Sequence, residues 1–426
     1  MPRTAVIGAG VTGLAIGSQC GLPVFEQSDG PGGICRSYYL QPGSTDRLDH
    51  EPATEGAYRF EVGGGHWIFG GDEATIARLQ QVVDFRVYQR RAVVRLGSLE
   101  LTVPYPLQGH LEALNPELVA AVRHETALLS EDPGRAVTLR QWLRACFGPT
   151  LCELFFFPFH DRYTAALTDT VAPQDAYKSP SATSPSGSER GYNVTFRYPV
   201  GGLDRLASRL AGLCDVRYGK QVVAIDGADR VLYFADGSEF GYDQVMSSLP
   251  LDRAAAFAGL DTGPSDPHTS VLVLNIGARR GARCPDAHWQ YEADSVAGFH
   301  RVGFYSNVEA GFLPAGSRTG SHVSMYVERA FAAGRSLPPA DLDRYISAVV
   351  EELQAREYLA DVEVLDASWV ETAYTWHTPG SSWRERTIAD LAAIGVQQVG
   401  RYGRWHFQGI ADSIREGLQA GQALGR

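Results

Sequence analysis

The stretch GAGVTG (residues 8–13) sets glycines at Gly8, Gly10 and Gly13, directly after the apolar run TAVI and at the start of a helical pattern. That spacing suits a dinucleotide phosphate. Gly8 permits a tight turn, Gly10 lets backbone approach a diphosphate, and Gly13 lets helix and strand pack closely. Val11 and Thr12 lie in the first helical turn, where the macrodipole presents its positive end to phosphate. LPVFE (22–26) then ends a second strand on Glu26, a carboxylate placed to accept ribose hydroxyls, with Gln27 beside it. The spacing to that acid leaves the intervening helix about a turn shorter than usual. A purely structural glycine turn is the alternative. In SDGPGGICRSYY (28–39), Gly32 and Gly33 are followed by Arg36 and Ser37, the make-up of a second diphosphate-contacting turn. A second such element separates two-domain flavoproteins from simple NAD enzymes; a solvated turn with a stray arginine is the other reading.

Elements at both ends and in the middle of the chain must position these groups. TAVIGAG, the helix after it and LPVFE form the beginning of a parallel βαβ sheet. A helix is predicted over Glu73–Gln81, a strand over Phe85–Leu96, and mainly helix from about 107 to 167, where LNPELVAAVRHETALL and TLRQWLRACFG are amphipathic. KSPSATSPSGSERGYN (178–193) reads as a loop, either a functional flap or a spacer. A turn and helix follow in YPVGGLDRLASRLAGL, then a meander of strands over 216–250. VLVLNIG (271–277), RVGFYSN (301–307) and HVSMYVER (322–329) read as strands of a second sheet, Asp341–Tyr358 as a helix and VEVLDASWVETAY as a strand. GVQQVGRYG is expected as a strand leading into the helix Ala411–Leu424.

The expected fold is α/β: a discontinuous Rossmann-type nucleotide domain with an inserted helical subdomain and a second, mainly antiparallel sheet domain. The expected division is 1–72, 201–262 and 395–426 for the three nucleotide-binding parts, 73–180 for the helical subdomain, 181–200 for loop and sheet of the substrate domain, and 263–394 for its antiparallel sheet.

Bulk properties narrow the function. At 426 residues, 44% hydrophobic and 20% charged, the chain has the make-up of an ordinary globular protein with sizeable cores. A net charge of −11 argues against a nucleic-acid or anionic-membrane surface. No apolar run reaches the ~20 residues of a membrane span. The first strand near Thr4 leaves no room for a targeting peptide, and the six scattered cysteines lack zinc spacing, so reduced thiols and a cytoplasmic setting are expected. No nucleophile elbow, HExxH or P-loop is present, which removes the basis for hydrolase, metallopeptidase and NTPase readings.

GAGVTG, GPGGICRS, GGGHWIF, VPYPLQ, FFFPFHDRYT, YPVGGLDRL and GRYGRWHFQGIADSI occur in the order found in the UDP-galactopyranose mutase-like branch of the FAD-dependent amine oxidase/protoporphyrinogen oxidase superfamily, and the chain resembles that branch over nearly its whole length. The resemblance implies FAD. It places His66, after Gly64 and Gly65, beside the isoalloxazine, and the backbone of Val223 at the adenine. It implies that Gly400, Arg401, Gly409, Ile410, Ala411 and Ser413 close the flavin site from the C-terminal side. Arg301 is similar to the arginine that holds a substrate diphosphate, and its planar fork suits that anion. Tyr374 is similar to a substrate-facing tyrosine, and Tyr163, Tyr192, Arg197, Tyr305, Trp405 and Phe407 are further candidates to line the pocket. Two positions depart from the branch: Phe407 stands in place of a tyrosine and Gly409 in place of an aspartate.

The implied function is a pyranose/furanose mutase of a UDP-, GDP- or dTDP-hexose, in polysaccharide or secondary-metabolite biosynthesis, with N5 of reduced flavin as nucleophile. The alternative is oxidation of an amine, alcohol or CH–CH unit, with His66 or His406 taking the proton; a non-enzymatic FAD scaffold is the third. The expected partner is a small molecule, and self-association stays open.

Overall fold

The computed structural model describes residues 3–53, 56–129, 134, 136–174 and 194–425; Tyr192 and the 178–193 loop lie outside the described residues. The first strand, Thr4–Ile7, is buried at all four positions, as a parallel strand covered on both faces requires. It is the middle of a five-stranded, all-parallel sheet in the order Asp215–Arg217, Pro23–Phe25, Thr4–Ile7, Gln244–Ser247, Val396–Gln398. Both ends of the chain and its middle therefore supply one sheet. The nucleotide-type sheet is discontinuous, as the sequence implies.

Four expectations change in detail. The strand expected over Phe85–Leu96 is two strands in different sheets, Phe85–Gln89 and Ala92–Leu96, and in RVGFYSN the strand ends at Phe304 before the helical turn Tyr305–Val308. The stretch 216–250 is not one meander: only Val222–Asp226, Val231–Phe234 and Glu239–Gly241 pair antiparallel, while strands at its two ends join the parallel sheet. In GVQQVGRYG the strand stops at Gln398, because Gly400 takes φ 73° and turns the chain into the helical turn Gly400–Gly403.

Glycines set the distance between the first helix, Val11–Cys20, and its neighbours. A Cβ on Gly13 would stand 1.9 Å from the carbonyl oxygen of Gly8, and one on Gly17 would stand 2.7 Å from Val24 Cγ2, so the helix lies directly on the sheet. The C-terminal helix, Ile410–Leu424, lies on the first helix in the same way. Cβ atoms on Gly417 and Gly421 would meet the carbonyl oxygens of Thr12 at 2.4 Å and Ile16 at 2.7 Å.

The second sheet has seven strands in the order Leu359–Thr375, His268–Arg280, His322–Ala332, Arg301–Phe304, Trp289–Glu292, Ala92–Leu96, Leu101–Pro104. All neighbours are antiparallel except Trp289–Glu292 with Ala92–Leu96. Helix Pro339–Ala355 covers one face through Tyr345, Val349 and Leu353. The helical group comprises Pro116–Leu128, Leu139–Leu151, a π-helical turn Cys152–Phe156 and Phe157–Tyr163. It packs on the last two strands of that sheet, and the rings of Phe147 and Phe156 stack at 3.8 Å. All six cysteines are free thiols, and among the described residues no helix is long and apolar enough to cross a membrane.

Because Gly417 has no room for a side chain, Gly417→Ala is expected to push the two helices apart and to destabilise the fold by about 1–3 kcal/mol. Thermal unfolding of the variant beside the wild type checks this; an unchanged midpoint would show that the helix contact tolerates the extra carbon.

Candidate active site

The cradle begins where the first strand meets the first helix. Gly8 adopts φ 94°, its N–H donates to the Phe25 carbonyl at 2.8 Å, and the Gly32 N–H donates to the Ala9 carbonyl at 2.8 Å. Two glycine turns are thereby held side by side, with Gly10 bridged to Gly32 and the Gly33 backbone next to it. A Cβ on Gly10 would meet nothing within 4 Å, so open space faces this backbone. The N-terminus of the first helix carries no side-chain cap, which leaves the N–H groups of its first turn for a ligand. Glu26 is buried; one carboxylate oxygen accepts from the Ala9 N–H at 2.7 Å and the other from the Ser28 N–H at 2.9 Å and hydroxyl at 2.7 Å. Oε2, which takes the single Ala9 donor, keeps lone-pair capacity for a ribose. Gln27 beside it is exposed.

The C-terminal segment meets this cradle. A Cβ on Gly400 would stand 2.6 Å from Thr12 Oγ1, and the last helix also starts without a side-chain cap, at Gly409. Ile410, Ala411 and Ser413 are buried in its first turn. Arg401 donates to the carbonyls of Ala373 at 2.8 Å and Gln408 at 3.4 Å and lies over the rings of Tyr374 and Phe407. The strand register slips at Val223, which has no register partner across the pair and is exposed.

A second group of side chains surrounds Arg301. Its Nε and Nη2 both donate to Glu328 Oε2, a residue 2% exposed and its register partner on the next strand. No described residue accepts from Arg301 Nη1, and about a fifth of the side chain stays accessible. Burial works to raise the Glu328 carboxyl, but Arg301, helped by His300, holds it below its ordinary range. Tyr374, Tyr326 and Tyr291 lie in the field of Arg301. Tyr163 packs edge-on to Tyr374 at 4.5 Å and to His300 at 5.5 Å. The two groups adjoin through His66: burial first and Arg401 next push its imidazole down to about 4, with Glu328 and Arg301 also acting on it. The glycines before it are sterically required, since a Cβ on Gly64 would meet Glu328 Oε1 at 2.7 Å and one on Gly65 would meet the Tyr326 hydroxyl at 2.0 Å.

Several expected roles move. Trp405 is fully buried, its indole N–H directed to the Trp376 carbonyl at 3.3 Å and its ring against Trp383, so it packs the core and does not line a pocket. Tyr305 is also fully buried, with its hydroxyl on Asn275 and its ring stacked on Phe312 at 4.6 Å. The Ser37 hydroxyl donates to Glu61 inside the core, and Arg36 is engaged by Asp29 and Asp49, which leaves the second turn to act through its backbone. Arg197 sits partly exposed on strand Thr195–Pro199, near the Gly70 carbonyl, and His406 is exposed. The pair that sequence reasoning missed is His300 with Glu328; its signal was a carboxylate inside the apolar strand HVSMYVER.

The sequence matches the profile of the flavin-containing amine oxidoreductases over residues 22–424. The chain belongs to that family. No curated protein matches the sequence. Among solved structures, reduced UDP-galactopyranose mutase is similar at a TM-score of 0.84 and 19% identity, covering 99% of this chain and 93% of that one. Putrescine oxidase bound to putrescine gives 0.62 and 15%, covering 99% and 98%. A CLA-producing fatty acid isomerase from P. acnes gives 0.59 and 15%, covering 98% and 97%. These likenesses establish the fold. The cofactor of this flavoenzyme is FAD, and the uncapped helix, the space at Gly10 and the buried Glu26 fit a dinucleotide.

Gly10→Ala is expected to fill that space while leaving the apoprotein fold intact, weakening FAD retention tenfold or more. The FAD-to-protein absorbance ratio after gel filtration, read beside apoprotein unfolding, checks it; full FAD occupancy would mean that the diphosphate does not pass Gly10.

Proposed function

We propose that this flavoenzyme interconverts the pyranose and furanose forms of a nucleotide sugar. The observation that carries the reading is the posture of Arg301: Glu328 grips one edge of the guanidinium through Nε and Nη2, Nη1 has no acceptor among the described residues, about a fifth of the side chain is accessible, and Tyr374 lies in its field. That fixed edge is suited to a phosphate oxygen. The Tyr374 and Tyr163 rings, edge to face, supply a flat apolar wall with hydroxyls for a sugar. Arg197 is a second candidate for the diphosphate. His66, held neutral near pH 7, accepts or donates a hydrogen bond without adding charge. Arg401, the Gly400 turn and the N-terminus of the last helix form a positive edge for the pyrimidine side of the ring. Reduced flavin, when bound, supplies an electron pair at N5 for attack on an anomeric carbon, with no net redox change.

A second reading, oxidation of an amine, alcohol or CH–CH unit, is favoured by two observations. Glu328 compensates the charge of Arg301, and the apolar ring of Phe407 lies 4.5 Å from Arg401 where the mutase-like branch has a tyrosine.

The purified, FAD-loaded protein is to be reduced and offered UDP-, GDP- and dTDP-hexoses. An isomer of unchanged mass, formed only with reduced flavin, supports the mutase, and Arg301→Ala is then expected to lose at least tenfold in nucleotide-sugar affinity. Flavin bleaching by an amine or alcohol, with peroxide formed in air, would replace this reading with the oxidase.

A further inference from the structure

His300 stands directly before Arg301, and its side chain is 2% exposed. Neither Nδ1 nor Nε2 makes a hydrogen bond. Nε2 lies 3.6 Å from Glu328 Oε2, the oxygen that also takes both Arg301 donors. One buried carboxylate oxygen is therefore shared between a permanent cation and an imidazole just beyond hydrogen-bond reach. Buried polar atoms without partners are uncommon, and a pair of them on one ring next to a carboxylate calls for a state in which they are used. Protonation provides one, because the imidazolium is a donor at both nitrogens.

We infer that His300 is a proton-binding member of the anion site: when an anionic group of the substrate docks on Arg301, one proton from solvent settles on His300 and turns the His300–Glu328 contact into an ion pair. The inference rests on the nucleotide-sugar reading. In the free protein burial opposes protonation: it is the largest influence and holds the imidazole below its ordinary value against the pull of Glu328, with the Arg301 cation a smaller influence in the same direction as burial. An anion on Nη1 offsets the Arg301 charge and adds a negative charge of its own, so the balance tips toward the imidazolium. No covalent bond changes; solvent gives the proton and takes it back on release.

The groups around His300 and its neighbour Arg301 come from several elements. Glu328 and Tyr326 lie on strand His322–Ala332, Tyr291 on Trp289–Glu292, Tyr374 on Leu359–Thr375, and Tyr163 on helix Phe157–Tyr163. His66 lies in the field of Arg401, Glu328 and Arg301. The Tyr326 and Tyr374 hydroxyls are raised above their ordinary value, chiefly by burial, so they stay protonated near neutrality. His66 is thus the competing proton acceptor.

UDP-glucose suits the test, because its diphosphate diester does not titrate between pH 6 and 8. Calorimetry of the FAD-loaded protein at pH 7, in two buffers of different ionisation enthalpy, is expected to show uptake approaching one proton per site. The dissociation constant is expected to rise with pH by up to about tenfold per unit. His300→Gln is expected to abolish the uptake and flatten the pH dependence. Should that variant not fold, uptake persisting in His66→Gln assigns the proton to His300 by removing its competitor. Binding without proton uptake in the wild type overturns the inference and leaves the nucleotide-sugar reading standing. Full uptake in folded His300→Gln overturns it too. Should UDP-glucose not bind, the same calorimetry is run with GDP- and dTDP-glucose; failure of the wild type to bind any of the three, in either flavin redox state, removes both.

Discussion

The close approach of backbone to backbone around the first helix is the constraint on which the rest depends. Gly13 lets that helix touch the turn at Gly8, and Gly417 and Gly421 let the last helix lie on its outer side. Gly400 does the same for the segment that ends in Arg401, which packs on Thr12. At these positions one methyl group would separate elements by more than the packing tolerates. The consequence is that two uncapped helix N-termini belong to the same construction, each with a positive end suited to an anionic or electron-rich group. A cofactor that is long and charged at its middle is matched by a fold whose positive ends are held by contact rather than by lysines.

The large sheet solves a different problem. It must present charged groups in a buried place, and it does so through register: Arg301 and Glu328 are cross-strand neighbours, so pairing of the strands forms the ion pair. A buried pair of this kind contributes little net stability, because desolvation offsets most of its attraction. Its value lies in orientation. The guanidinium is gripped along one edge, and the remaining nitrogen has a fixed direction. The missing side chain at Gly64 makes room for the other oxygen of Glu328, which ties the glycine run of GGGHWIF to the same ion pair.

The nucleotide half was legible in the sequence because its signals are local. GAGVTG, Glu26 and the parallel strands on either side are read from spacing alone, and the strand–helix–strand unit follows from the burial each piece demands. The pocket half was less legible. Arg301 came from a resemblance, whereas Glu328, 27 residues further on, is joined to it by strand register that no local pattern states. Trp405 and Tyr305 misled for the reverse reason: an aromatic residue inside a motif looks like a wall of the site, but their rings have no surface left to offer. Arg36 likewise has the right type and place, yet two aspartates that lie 7 and 13 residues from it claim its charge. Chemistry carried by backbone can be read from one segment, and chemistry carried by side-chain partnership needs the tertiary fold.

The order of strands in the parallel sheet also bears on how the chain is made. Thr4–Ile7 is the central strand, but its neighbours besides Pro23–Phe25 are Gln244–Ser247 and, one further out, Val396–Gln398. On a ribosome adding ~5–20 residues per second, the apolar first strand waits on the order of ten to fifty seconds for its second partner. The edge strand and the helix that completes the cradle arrive later still. Vectorial synthesis thus leaves the nucleotide fold open until its last segment has emerged, and the nascent chain must keep a sticky strand from other company throughout.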